Sequence, residues 1–320
     1  VQGFRLSYAT GFVLNTLNVG TFKTKGWEAN IDFDVIRNND FTWNVGVNGS
    51  HGSSEVVSLP ENVTEYYNSY TWNSGNIRNG IMQGESISTI TGRAYERNDN
   101  GDILISPTTG LPITASDWSI IGDREPTLRF GMNTSFRYKN FRLTTLIDFK
   151  LGGDIYSFDH SVARGSGLAP ETAAARNGGG LPYTYPDGTT DDVGMVMDGY
   201  NIDDGRVNDR VIHPLYYYGI SYTGWTSINR PRSLSVLENS WVKLRELSLT
   251  YDLPKSLLGK TKFVNNLSLS VVGRNLFYIH TTLPDKLNPE AINGTGNGQG
   301  LQWASFPSMR TVGFRLKAGF

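Results

Sequence analysis

Apolar and polar residues alternate at every second position over segments of about ten residues, and no other feature constrains the chain as tightly. From Gly26 onward, Trp27, Ala29, Ile31, Phe33 and Val35 share one face of a strand, and Glu28, Asn30, Asp32 and Asp34 the other. The polar turn Asn38-Asn39-Asp40 leads to Phe41, Trp43, Val45 and Val47 set against Thr42, Asn44, Gly46, Asn48 and Ser50. The pattern recurs at Leu128, Phe130, Met132, Phe136 and Tyr138, opposite in face to Arg129 and Arg137. After the tight turn Lys139-Asn140 it continues at Phe141, Leu143, Thr145, Ile147, Phe149 and Leu151, with Asp148 and Lys150 on the other face. It returns at Leu267, Leu269 and Val271, and at Phe314, Leu316, Ala318 and Phe320. In 241–252 the phase slips: Val242 and Leu244 fit one register and Leu247, Leu249 and Tyr251 the other. That slip predicts a β-bulge near Arg245-Glu246. About eight or nine strands are expected, one of them at 3–10 with Phe4, Leu6 and Tyr8 on a common face.

Such alternation suits a soluble β-sandwich as well as a wall between lipid and water. The connections are unequal, a few residues at one end against long stretches of about 52–126, 152–239 and 280–307 at the other. Aromatics crowd the tight-turn ends, as Phe41 and Trp43, Tyr138 and Phe141, Tyr251 and Phe263. Phe320 closes the chain in phase with the apolar face. Short turns, long opposite loops and aromatic girdles together describe an antiparallel transmembrane β-barrel of the outer-membrane type, its apolar face on the lipid bilayer. Hydrophobic residues make up 38%, too few for a bundle of membrane helices, and no apolar run reaches the roughly 18 residues of a helical span. The 29 basic and 30 acidic residues leave a net charge of −1, without the basic excess that nucleic acid demands. Cysteine is absent, which removes disulfides and thiolate metal sites. Val1 is not an initiating methionine, and the alternation has already begun at Gly3, so the chain is expected to be part of something longer.

Several motifs, taken in order, resemble the SusC/RagA-type TonB-dependent outer-membrane transporters. Ser240-Trp241-Val242-Lys243-Leu244-Arg245-Glu246-Leu247-Ser248-Leu249-Thr250-Tyr251-Asp252-Leu253-Pro254 resembles their penultimate-hairpin motif. Gly273-Arg274-Asn275-Leu276-Phe277 is similar to their GRNLF strand, and Asn288-Pro289-Glu290 to their DPE loop with Asn for Asp. Phe306-Pro307 through Arg310 and 313–320 resemble their final strand, Gly26-Trp27-Glu28 their KGxE hairpin, and Ile121-Gly122-Asp123 with Pro126 a stretch before another hairpin. The resemblance implies that 1–320 is the C-terminal portion of a larger barrel of about 22 strands, with the N-terminal plug, the TonB box and the first strands absent from it. It implies a bacterial outer-membrane location, a SusD-like surface lipoprotein as partner, the TonB complex as energy source through the absent N-terminal region, and glycan or peptide as cargo. For Phe320 it implies the terminal signal read during barrel assembly. An outer-membrane barrel serving secretion or adhesion without transport is the alternative.

Residues that carry chemistry are sparse. His51, His160, His213 and His280 show no metal-ligand spacing and are expected on exposed loops or strand ends. Asp159-His160 lacks a G-x-S-x-G elbow, and Ser240-x-x-Lys243 sits on a strand rather than a helix start, so no enzyme is expected. No cofactor is expected beyond a weak Ca²⁺ candidate at Asn98-Asp99-Asn100-Gly101-Asp102, with Asp99 and Asp102 as ligands. The candidate contacts for partner or substrate are loop aromatics: Tyr66, Tyr67, Tyr70 and Trp72; Tyr183 and Tyr185; Tyr216, Tyr217, Tyr218, Tyr222 and Trp225. The same rings also suit packing of the loops on one another. Asp32, Asp34, Arg129, Arg137, Asp148 and Lys150 are expected to face the lumen, either as contacts for a plug or as solvated wall.

Overall fold

A computed structural model describes residues 2–5, 7–18, 20–61, 63–67, 77–219, 231–258, 263–291 and 299–320. Its main sheet has seven strands: β1 (Thr21–Arg37), β2 (Phe41–Ser58), β3 (Leu128–Tyr138), β4 (Phe141–Leu151), β5 (Trp241–Asp252), β6 (Asn266–Thr281) and β7 (Thr311–Gly319). Each pairs antiparallel with its neighbours in chain order, so the sheet is a plain meander with β1 and β7 at its edges. The register collects the apolar residues into rows across the strands. One row runs Ile31, Val47, Met132, Ile147, Leu244, Phe277, and another Trp43, Phe136, Leu143, Leu249, Val271, Phe314. The opposite face carries rows such as Asn30, Asn48, Gly131, Asp148, Lys243, Tyr278.

The apolar face is bare. Ile31 is 60% exposed, Phe314 80% and Leu316 69%. Among the described residues the buried hydrophobic clusters lie in the long connections and not against the sheet. A soluble monomer does not leave a contiguous apolar face of this extent in water, so the sandwich reading fails and the sheet is a barrel wall with lipid outside. Val45 is the exception on that face, shielded to 9% exposure by its neighbours in the sheet. No helix among the described residues is long and apolar enough to cross a membrane.

The short turns lie at one end of the wall. Lys139 takes a positive φ of 51° in the β3–β4 turn, and Asn38 Oδ1 accepts the amide of Phe41 at 2.7 Å in the β1–β2 turn. An aromatic belt marks this end: Trp43 stacks on Phe136 with centroids 5.4 Å apart, and Phe141 meets Tyr251 at 4.8 Å. Trp43 Nε1 donates to Thr134 Oγ1 at 2.9 Å, so its one polar group is satisfied without water. Phe263, expected in this belt, lies in the connection after β5 and is exposed.

Three expectations are corrected. The main sheet holds seven strands, not eight or nine, because 3–10 does not join it. There Gln2–Arg5 pairs only with Leu14–Leu17, and Tyr8–Thr10 is a 3₁₀ turn. Ser7 accepts from the Ala9 amide, the Thr10 hydroxyl donates to the Ser7 carbonyl at 2.8 Å, and Gly11 closes the turn at φ 75°. These local bonds outcompete a ladder. Strand length also differs: β3 and β4 have 11 residues each, but β1 has 17, β2 18 and β6 16. β2 therefore continues to Ser58, beyond Gly52 where the connection was expected to start, paired throughout with β1. Since roughly 9–11 tilted residues cross the hydrocarbon, the excess stands out of the membrane at the long-connection end.

Ile31 and Asn30 are adjacent on β1 and face opposite ways, which isolates the effect of facing from that of depth. In the full-length protein folded into bilayers, Ile31→Arg is expected to cost about 2–4 kcal/mol of unfolding free energy, and Asn30→Arg well under half of that. Equal costs at the two positions would contradict the assignment of faces.

Candidate functional site

The slip in the β5 pattern is resolved by a bulge at Arg245. Leu146 of β4 lies opposite Glu246 and Ile147 opposite Leu244, so Arg245 has no opposite number. The extra residue returns Leu247, Leu249 and Tyr251 to the same face as Val242 and Leu244. It also leaves Arg245 and Glu246, consecutive in sequence, both on the inner face. Arg245 Nε donates to Asp148 Oδ2 at 2.6 Å, Nη1 to Asn275 Oδ1 at 3.0 Å and Nη2 to Glu290 Oε1 at 2.5 Å. Lys243, whose side chain is 1% exposed, donates from Nζ to Glu290 Oε2. Tyr278 donates its hydroxyl to the same oxygen at 2.9 Å. Glu246 accepts from Arg274 Nε at 2.9 Å, in a more exposed pair.

Glu290 is thus the point where the 282–310 connection is fastened to the wall. Burial alone would raise its carboxyl pKa, but the hydrogen bonds from Arg245 and Lys243 outweigh burial and hold it down at about 2.

Above the wall the three long connections share one hydrophobic core. Ile77 and Ile90 come from 59–127, Tyr156 and Phe158 from 152–240, and Leu301 from 282–310. Trp303 stacks on Phe158 at 3.6 Å, Tyr156 pairs in parallel with Leu301, and Asn79 Nδ2 donates to the Gln299 carbonyl at 3.0 Å. A second cluster joins Tyr95, Ile212 and Tyr217, with the hydroxyls of Tyr95 and Tyr217 2.6 Å apart.

The loop aromatics divide between these cores and the surface. Tyr66 and Tyr217 are buried, and Tyr218 packs edge-on to Tyr217 at 4.9 Å. Tyr67 is 45% exposed and covers the guanidinium of Arg78, which Trp118 covers on another side. Tyr183, Tyr185 and His213 form a half-buried trio, with Tyr183 5.2 Å from Tyr185 and 5.5 Å from His213, while Tyr216 beside them is exposed. Tyr70, Trp72, Tyr222 and Trp225 lie outside the described residues. Phe320 follows β7 and is 85% exposed.

The Asn98–Asp102 turn closes on itself. Asn98 Oδ1 accepts the amides of Asn100 at 3.0 Å and Asp102 at 2.9 Å, and Asn98 Nδ2 donates to Asp102 Oδ2 at 3.2 Å. Among the described residues, no third acidic or histidine side chain joins Asp99 and Asp102 within ligand distance. His160, expected on the surface, is instead buried on the helix Phe158–Gly165, where the Ser157 hydroxyl caps the first turn. Its ring, Glu171 and Asp285 bring ligand atoms within 4.8 Å of one another. Arg164 Nε, 2.5 Å from Glu171 Oε1, already supplies a cation there. Burial, with Arg164 beside it, lowers the His160 pKa and favours the neutral ring.

Comparison with known proteins places this architecture. No family profile matches the chain. It is 28% identical over 95% of its length to TonB-dependent receptor P3 of Formosa agariphila, and 24% identical over 97% to TonB-dependent receptor P39 of the same organism. Among solved structures it is similar to the RagAB peptide importer in the "closed-closed" state, at 17% identity and a TM-score of 0.61 over 99% of the chain. The RagAB peptide transporter gives 16% and 0.59 over 98%. The chain is thus similar in sequence to TonB-dependent receptors and in fold to the RagAB importer. It spans 29% and 32% of the two curated relatives and 31% of each RagAB chain.

The wall is part of a β-barrel of the bacterial outer membrane, with its short turns and long connections on opposite sides of the bilayer. The motifs that resemble the family converge on one place: Lys243 and Arg245 from the β5 motif, Asn275 from GRNLF and Glu290 from the NPE loop are the cluster itself. None of the four was singled out for a role in the sequence. The signal was the phase slip, which places a charge where the alternation calls for a leucine.

The depressed Glu290 pKa fixes the sign of an acid response. Its contribution to holding the 282–310 connection is complete above the ordinary carboxylate value of 4.5 and is lost as pH falls through about 2. Amide exchange in 282–291 is expected to stay slow between pH 7 and 5 and to quicken only below about 4.5, after correction for intrinsic rates. Glu290→Gln should bring fast exchange at pH 7, because it leaves Lys243 buried without its anion. Glu246→Gln, in an exposed pair, should change exchange little. Equal effects of the two substitutions would show that the cluster does not anchor the connection.

Proposed function

We propose that the full-length receptor imports oligosaccharides or peptides across the outer membrane, driven by the TonB complex, with a SusD-like surface lipoprotein over the long connections. The observation that carries this reading is the joint core of 59–127, 152–240 and 282–310, tied by Glu290 to a polar inner wall. Loops that are only a surface coat have no need of a shared core or of an ionic fastening to the lumen. A mouth that must present a fixed aqueous vestibule to cargo needs both. The names of the relatives point the same way: the curated ones are TonB-dependent receptors, and the RagAB structures are of a peptide importer. Covalent chemistry has no part in the scheme. Lys243, which a hydrolase reading would pair with Ser240, is spent on Glu290, and Ser240 Oγ donates to Glu238 instead at 2.7 Å.

The test is uptake of fluorescent oligosaccharides and peptides by cells with and without the receptor. Uptake of one class is expected to disappear on deletion, and also when a protonophore collapses the energy supply in receptor-containing cells. Uptake of both classes unchanged by deletion would favour a barrel with a structural or adhesive role.

A further inference from the structure

We propose that Arg129 and Lys150 form a carboxylate-binding site on the inner wall, at its long-connection end, which receives an acidic group of the incoming solute. The inference rests on the import reading and adds to it a class of cargo. Arg129 on β3 and Lys150 on β4 are direct cross-strand partners. Like charges set opposite one another on neighbouring strands destabilise a sheet. Lys150 is also 7% exposed, and a buried ammonium is costly unless an anion is bonded to it. Yet neither side chain makes an ion pair or a side-chain hydrogen bond with any described residue.

The acidic groups nearby have their hydrogen bonds elsewhere. Glu125 Oε2 accepts the hydroxyls of Ser54 at 2.8 Å and Ser86 at 3.3 Å. Asp154 Oδ2 accepts the Asp123 amide at 2.8 Å, and its charge acts on Lys150 without a hydrogen bond between them. Glu290 is held by Arg245, Lys243 and Tyr278. The two cations line a cavity of about 440 Å³, bounded also by Arg124 and Trp241 and by the three carboxylates just named. That volume exceeds what a carboxylate alone requires and has room for the residue or sugar ring that bears it.

The chemistry of the pair selects the ligand. A guanidinium matches the two oxygens of a carboxylate, and an ammonium beside it adds charge without a demand on geometry. A bound carboxylate would relieve the repulsion between the cations and give the buried ammonium a hydrogen-bonded anion, which Asp154 does not. The cavity lies where β3 begins, β4 ends and β5 begins, which is the side of the long connections and so the side of entry. The carboxylate can be the free C-terminus of a peptide or the acid of a uronic sugar, and the test separates these sources.

Binding is measured on the full-length receptor by calorimetry with two matched pairs: tetra-alanine and its C-terminal amide, and tri-galacturonate and its methyl ester. One free acid is expected to bind at least about tenfold more tightly than its neutral counterpart, the scale of a single charged hydrogen bond, and the pair that shows this names the source. The double variant Arg129→Gln, Lys150→Gln should abolish the preference and leave the affinity of the neutral compound unchanged. Lys150→Arg, which keeps the charge, should retain it. The inference is overturned if neither acid is preferred by the unaltered receptor, if neither acid binds, or if the preference survives in the double variant. Loss of the carboxylate preference with uptake intact would sink this inference alone. The preference without receptor-dependent uptake would sink the import reading alone.

Discussion

Every N–H and C=O of a strand in hydrocarbon has to be paired with a neighbouring strand, because lipid offers no partner and each unpaired group costs several kcal/mol. The meander from β1 to β7 answers this requirement across all its internal pairings, while β1 and β7 each pair along one side only. Closure by further strands is what such edges demand in a bilayer. With the backbone so constrained, side chains have two destinations, and the two-residue period decides which. That is why Ile31, Val47, Met132, Ile147, Leu244 and Phe277 form a row though they come from six strands.

The bulge at Arg245 is the one place in the wall where a strict period would fail. Without it, Leu247, Leu249 and Tyr251 would point into the lumen and Ser248 and Thr250 into lipid. With it, both apolar sets face outward, and the inner face gains two adjacent charges. Arg245 reaches Asp148 on the neighbouring strand and Glu290 in the connection, while Glu246 reaches Arg274 on β6. A local irregularity in pairing thus becomes the fastening between a membrane wall and the ordered mouth above it. The partners differ in weight: Lys243 and Glu290 are largely out of water, where loss of one leaves the other uncompensated, and the Arg274–Glu246 pair is half in water and contributes little.

The wall was legible in the sequence because its structure is written in neighbouring residues. Alternation gave the faces of β1 to β4, the Asn38-Asn39-Asp40 and Lys139-Asn140 turns gave the hairpins, and the phase slip gave the bulge to within a residue. The canopy was not legible, because its core joins Ile77 and Ile90 to Tyr156, Phe158 and Leu301, segments whose proximity depends on the wall being built first. The loop aromatics illustrate the limit. Composition singled out Tyr216, Tyr217 and Tyr218 as one group, and the helix Pro214–Tyr218 then sends Tyr217 into a core and leaves Tyr216 in solvent. The same limit hid the burial of His160 and of Lys150. Both depend on what a second strand or loop places opposite them.

The account turns on the facing of β5 on either side of Arg245, and spin labels placed singly at each position from 241 to 251 of the full-length protein in bilayers measure it directly. Collision rates with oxygen, which concentrates in lipid, and with a polar nickel complex, which concentrates in water, report the two faces. The prediction is high oxygen access at Val242, Leu244, Leu247, Leu249 and Tyr251, low access at Lys243, and two successive low values at Arg245 and Glu246. An unbroken two-residue period through Arg245, or polar access at both apolar sets, would contradict the bulge and the lipid-facing wall together.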